Sequence, residues 1–360
     1  MIDYFKLKKE IKILKYYKLN NQGILINKRN FLKINNPKVS IISAVFNREE
    51  FILRFMLSIQ NQFFEDIEII FIDDCSYDNS AKIIERLGQK DERIFLLKNK
   101  KNRGTLISRN IGALKARGEY LIFPDPDDIL SSNIINDCYK ISKKFDYDII
   151  RFNMYSDKKF IFSIISSKLR KIINQPDLRT HLIYGYGYKK LVDGVINNKF
   201  IKKNIYIITL NNISNYYLNR KMIYFEDGLM NFALHFNAKS LYLLNKIGYY
   251  YKYNEKSVSH SINFDLYFSC FFLFLKFILE NTKNNKYEKD IIFYILKEYT
   301  GNNDIFKGIK IYLKIYEEVI NSLLNNKFMN SLNKDKLNDI KNIILNIKNN
   351  KTKKIHSFFI

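Results

Sequence analysis

"VSIISAVFNREEFILRFMLSIQNQFFEDIEIIFIDDCSYDNS", residues 39–80, decides the fold. The apolar run at 39–45 reads as a strand buried on both faces. "EEFILRFMLSIQNQ" then sets Phe51, Ile52, Phe55, Met56 and Ile59 at helical spacing, and "EIIFI" makes a second buried strand. The same alternation continues outward. A helix is predicted from about Asn79 to Leu87, capped by Ser76 or Asp78 and ended by Gly88, followed by a strand at "RIFLL". A helix from Thr105 to Lys115 burying Ile107, Ile111 and Leu114 precedes a fourth strand, "YLIF". Strands alternating with crossover helices define an α/β, mostly parallel sheet flanked by helices on both faces. Such sheets bind ligands outside the carboxyl ends of their strands.

Three polar clusters fall on that rim. They are "VFN" at 45–47, "IDDCSYDNS" at 72–80 and "FPDPDD" at 123–128. Together they gather Asp73, Asp74, Asp125, Asp127 and Asp128, and carboxylates so close repel unless a cation or hydrogen-bond donors fill the site. Oxygen ligands in a chain with only 4 His point to Mg²⁺ or Mn²⁺ rather than zinc. Mg²⁺ held this way commonly works with substrate phosphates. Pro126, between two of the acids, fixes the backbone and removes an N–H.

These segments, with "RGTLISRNIGALKARGEYLIFPDPDDIL" at 103–130, resemble in order the inverting family-two glycosyltransferases of the GT-A fold. The likeness is dense over 39–130 and continues at "INNKFIKK" (196–203), "YFEDGLM" (224–230) and "YYYKYNEKSVSH" (249–260). The resemblance implies a nucleotide-sugar-binding half at 39–155 and a mixed acceptor-binding half at 156–260; outside it, charge marks a basic N-terminal extension at 1–38 and periodicity a helical C-terminal region at 261–360. It implies that Phe46 stacks on uracil and Asp74 accepts a hydrogen bond from it, with Asn47 and Asp73 alongside. Arg109 would face the sugar or diphosphate, where a fork of donors matches phosphate oxygens. Asp127 would be the main metal ligand, Asp125 would contact the metal or ribose, and Asp128 would orient the donor sugar or cap the next segment. Asp227, next to Glu226, would be the base that deprotonates the acceptor hydroxyl. Lys252, where many relatives carry Arg, and His260 are diphosphate-side candidates. The implied activity is transfer of one sugar from a UDP-sugar to a bacterial surface glycan, capsule or lipopolysaccharide.

Composition bounds the rest. The net charge is +24, yet residues 39–130 hold 13 basic against 15 acidic side chains, so the excess lies outside the patterned region. It fits solvated lysines or contact with an anionic inner membrane face. Three scattered cysteines fit a reducing compartment, and the N-terminus reads as a cytoplasmic start. The most apolar segment, Phe264–Leu279, is interrupted by Asp265 and Lys276 and reads as a buried helix. Between 156 and 260, "YIITL" and "SLYLLN" read as strands that follow an earlier one at "YDIIRFN". Two alternatives are weighed. A Mg²⁺-dependent nucleotidyltransferase would carry a Gly-rich loop where "VFNREEF" stands, and a basic nucleic-acid binder would carry its charge in the patterned region.

Overall fold

The structure, a computed structural model, describes residues 35–156, 172–174 and 196–252, with further positions between 266 and 281. The first half alternates β1 (Val39–Val45), α1 (Glu49–Gln60), β2 (Ile67–Asp73), α2 (Ser80–Gly88), β3 (Ile94–Lys98), α3 (Thr105–Lys115) and β4 (Tyr120–Ile122). Then come β5 (Ile129–Leu130), α4 (Ile134–Phe145), β6 (Ile149–Ser156) and β7 (Ile172–Asn174). After them follow β8 (Lys199–Lys202), α5 (Lys203–Asn212), α6 (Asn215–Leu218), α7 (Glu226–Asn237) and β9 (Ser240–Tyr251).

Among the described residues these strands form one sheet in the order β3-β2-β1-β4-β8-β6-β9-β5, with β7 on β9. Strands β1 to β4 pair in parallel, as continuous apolar runs require, and β8 pairs antiparallel to both β4 and β6. The sheet lies in a compact unit of residues Met1–Leu178 and Val195–Ser261. Its core takes Ile52, Phe55, Met56 and Ile59 from α1 against Ile41, Ile69 and Phe71 from the strands. At the end of the sheet where β1 and β2 begin, buried Glu68 accepts hydrogen bonds from Ser40 Oγ (2.6 Å), the Arg117 and Gly118 amides (2.5 and 3.2 Å) and Arg117 Nε (2.9 Å). One carboxylate thereby ties β1, β2 and the entry to β4 together.

Helix α3 keeps the expected face only in part. Ile107 is buried, but Leu114 is 63% exposed, and Leu106, Arg109, Asn110 and Ala113 complete the buried face. Gly112 sets this face, since a Cβ there would stand 2.5 Å from Ile42 Cγ2 and 2.6 Å from Ile72 Cδ1. "YIITL" is helical, inside α5, and not a strand. Buried Ile205, Tyr206, Thr209 and Leu210 follow helical spacing, and Thr209 Oγ1 donates to the Ile205 carbonyl at 2.8 Å. Near α2, Asp78 is the side chain that takes up a first-turn amide, that of Ser80, at 2.9 Å.

In the second unit, Arg179–Gly194 and Ile262–Ile360, the buried positions Cys270, Phe274, Phe277 and Ile278 fall at helical spacing. Residues 1–34, the segment 253–260 with His260, and most of the chain after 261 lie outside the described residues. No helix among the described residues is long and apolar enough to cross a membrane.

Candidate active site

Loops leaving β1, β2 and β4 meet at the carboxyl rim. Asn47 adopts φ 52°, its amide donates to Ser76 Oγ (3.0 Å), and its Oδ1 accepts from the Tyr77 amide (3.1 Å), so the first two loops are stitched together. Asp73 accepts from the Ser76 amide at 3.3 Å and shapes the same turn. Above it, Phe46 (38% exposed) meets Tyr77 (85% exposed) edge-on, at a centroid distance of 5.7 Å. Two open ring surfaces on a ligand-binding rim suit a planar guest.

Asp74 is buried and heavily engaged. Its Oδ1 accepts from Asn99 Nδ2 (2.7 Å) and the Arg103 amide (2.8 Å), and its Oδ2 from the Gly104 amide (2.7 Å). Gly104, with φ 89°, is the residue before α3. Asp74 therefore places the start of α3, and with it Arg109. An ionised carboxylate has about four acceptor positions, which leaves room for one further donor.

The "PDPDD" segment forms an acidic bracket. Oxygen atoms of Asp125, Asp127 and Asp128 lie within 4.8 Å of one another. Burial, then the Asp125 charge, raises the Asp127 pKa, with Arg48 opposing. Burial, then Asp127 and Asp125, pushes Asp128 well above the ordinary carboxylate range. Several donors hold the bracket. Arg48 Nε stands 3.5 Å from Asp127 Oδ2, and buried Arg54 donates to the Asp127 carbonyl. Tyr249 Oη donates to Asp128 Oδ2 (2.6 Å) and the Lys252 amide to Asp128 Oδ1 (2.9 Å). The Lys252 ammonium itself lies over the Phe51 ring, 5.9 Å from its centroid.

Arg109 joins the bracket to α7. One terminal nitrogen donates to Asp125 Oδ1 at 2.7 Å and the other to Asp227 Oδ1. Burial opposes the Arg109 charge, but Asp227 and Asp125 outweigh it and keep the guanidinium protonated. Burial raises Asp227 above its usual pKa while the Arg109 charge pulls it down. Glu226 is pushed up to about 8, by burial first and the Asp227 charge second. Asp227 and Glu226 occupy the first turn of α7, where the helix dipole favours acids.

The structure thus brings Arg109, Asp125, Asp127, Asp128, Asp227 and Glu226 into one cluster, and Phe46, Asn47, Asp73 and Asp74 into the adjoining loops. Arg48 links the two, because its Nη1 also donates to the carbonyls of Phe46 (3.2 Å) and Asn47 (3.1 Å). Arg48, Arg54, Asn99 and Tyr249 bond directly to the acids of these loops and are not singled out by the sequence. Arg54 sits within an apolar helical run and Tyr249 among neighbouring tyrosines, so patterning assigns both to packing, while Arg48 and Asn99 stand in polar stretches just after strands β1 and β3.

Comparison with known proteins bears on this geometry. The sequence model of glycosyl transferase family 2 matches residues 40–225. An uncharacterized glycosyltransferase of Haemophilus influenzae is 41% identical over 100 residues, covering 28% of this chain and 40% of the relative. The cholesterol galactosyltransferase of Borreliella burgdorferi is 29% identical over 241 residues, covering 64% of each. The putative glycosyltransferase EpsH of Bacillus subtilis is 26% identical over 266 residues, covering 73% of this chain and 75% of that one. The matched region thus spans less than two thirds of the first two relatives. Among solved structures, S. aureus TarS 1-349 in complex with UDP-GlcNAc superposes with a TM-score of 0.62 at 19% identity, over 83% of this chain and 82% of that 1-349 chain. The fold is that of the GT-A enzymes.

Proposed function

The chain belongs to glycosyl transferase family 2, and from that premise we propose that it is an inverting, metal-dependent hexosyltransferase. It moves one sugar from a UDP-sugar to a hydroxyl of a bacterial surface glycan, capsule or lipopolysaccharide. The observation that carries this reading is Arg109, which holds Asp227 and the acidic bracket on one guanidinium. The complex of TarS with UDP-GlcNAc supports a uridine nucleotide donor. Family membership argues against the nucleotidyltransferase and nucleic-acid-binding alternatives.

The bracket suits a hard divalent cation, having three clustered carboxylates of which two are raised in pKa partly by their neighbours' charge. Asp127 and Asp125 would hold Mg²⁺ or Mn²⁺, which when bound neutralises negative charge on the diphosphate. Phe46 stacks on uracil, Asp74 offers its remaining acceptor position to the base, and Arg109, while holding Asp125 and Asp227, offers its remaining N–H groups to phosphate or sugar oxygens. Asp227 takes the proton from the acceptor hydroxyl as that oxygen bonds to the anomeric carbon. The bond from that carbon to the phosphate oxygen breaks on the opposite face, and its electron pair leaves with UDP. Glu226, its pKa pushed up to about 8 by burial and the Asp227 charge, sits beside the base. Lys252, whose amide already holds Asp128, is a further candidate for the diphosphate side. The enzyme works in the cytoplasm, where its basic segments meet the anionic inner leaflet.

Asp227→Asn tests the assignment of the base. It should bind UDP as the wild type does and lose transfer; a variant that retains transfer removes Asp227 from that role.

A further inference from the structure

The Tyr249 hydroxyl has a full set of partners in a place where the family reading assigns none. It is wholly buried on β9. It accepts from the Asp125 amide (3.0 Å) and from Asn197 Nδ2 (3.2 Å), and it donates to Asp128 Oδ2 (2.6 Å). A phenol offers one proton and two lone pairs, so all three are in use. The sequence separations are 124 residues to Asp125 and 121 to Asp128. One oxygen therefore fixes both ends of "DPDD": the backbone at Asp125, immediately before Pro126, and the side chain of Asp128. The ring is anchored because neighbouring Gly248 packs so tightly that a Cβ there would collide with Ile134 Cγ1 and stand 2.6 Å from Phe152 Cδ2.

We propose that Tyr249 is a positioning residue for the cation site, its hydroxyl holding Asp125 and Asp128 so that the bracket meets a divalent ion already arranged. The inference rests on the metal-dependent reading above. Like-charged carboxylates relax apart when nothing constrains them, and Tyr249 opposes this by bonding to the segment at two points. Outer partners of metal ligands commonly contribute roughly 10- to 100-fold in metal affinity, on the order expected here.

The test is Mn²⁺ binding by electron paramagnetic resonance in the presence of UDP, with UDP affinity in EDTA measured in parallel. Tyr249→Phe should weaken Mn²⁺ binding by about tenfold or more while UDP affinity in EDTA stays within about twofold. Asn197→Ala, which leaves the bonds to Asp125 and Asp128, should retain Mn²⁺ affinity. Unchanged Mn²⁺ affinity in Tyr249→Phe overturns the proposal, as does an equal loss in Asn197→Ala. Wild-type protein labelled at tyrosine Cζ supplies a readout that needs no variant to fold. Adding Mg²⁺ to the UDP complex should shift a buried tyrosine resonance, and no shift counts against the role. If wild-type protein with UDP binds no Mn²⁺ at all, the metal-dependent reading itself fails.

Discussion

Arg109 donates to Asp227 across 118 residues of sequence, with the second arm of the same guanidinium on Asp125. Helices α3 and α7, and the loop after β4, are joined at that one side chain. A lysine provides a point charge and cannot bridge both acids. Arg109→Lys is therefore expected to lose about 1.5–3 kcal/mol of stability, the worth of one charged hydrogen bond, and most of the transfer rate. Urea unfolding checks the first and donor turnover the second.

Glu226 makes stability depend on pH. Its folded pKa, raised from 4.5 to about 8, means that the folded chain binds more protons than the unfolded chain between those values. Stability from this group is complete below about pH 4.5 and is lost as pH rises through about 8. Glu226→Gln should flatten the fall in Tm across that window, seen by calorimetry in EDTA. An unchanged slope would show that Glu226 titrates normally.

Gly104 holds a backbone conformation that side chains avoid. At φ 89°, a Cβ would also lie 3.1 Å from Lys221 Cγ and 3.3 Å from the Met222 carbonyl. Gly104→Ala should cost about 1–3 kcal/mol in urea unfolding and weaken UDP binding, since α3 begins there and carries Arg109.

Phe46 is exposed and contributes little to the core. Phe46→Ala should leave Tm unchanged and weaken UDP by about tenfold, the scale of one base–aromatic stack, whereas Phe46→Tyr should retain affinity. Calorimetric titration with UDP distinguishes the two variants.

The parallel half of the sheet was legible because strands buried on both faces write themselves as runs such as "IEIIFID". The rim acids were legible because clustered carboxylates at strand ends have few structural uses. The face of α3 was legible only at Ile107, because the other residues it buries include Ser108, Arg109 and Asn110, which hydrophobic spacing scores as solvent-facing. Their burial is set by Gly112 against Ile42 and Ile72, a contact between distant segments. In α5, "YIITL" carries β-branched residues that favour a strand locally, and packing of Tyr206 and Leu210 overrides that preference. Tyr249 lay among neighbouring tyrosines, and only the pairing of β5 with β9 brings it to Asp125 and Asp128.

On the proposed function, the rim binds a UDP-sugar with a divalent ion and breaks its glycosyl–phosphate bond. The most direct test is UDP release from a panel of UDP-sugars with Mn²⁺ or Mg²⁺ and no acceptor, where slow hydrolysis reports the donor. At least one donor should release UDP, and EDTA and Asp227→Asn should each abolish that release. No release from any donor, together with no thermal shift on adding UDP and metal, would contradict that function.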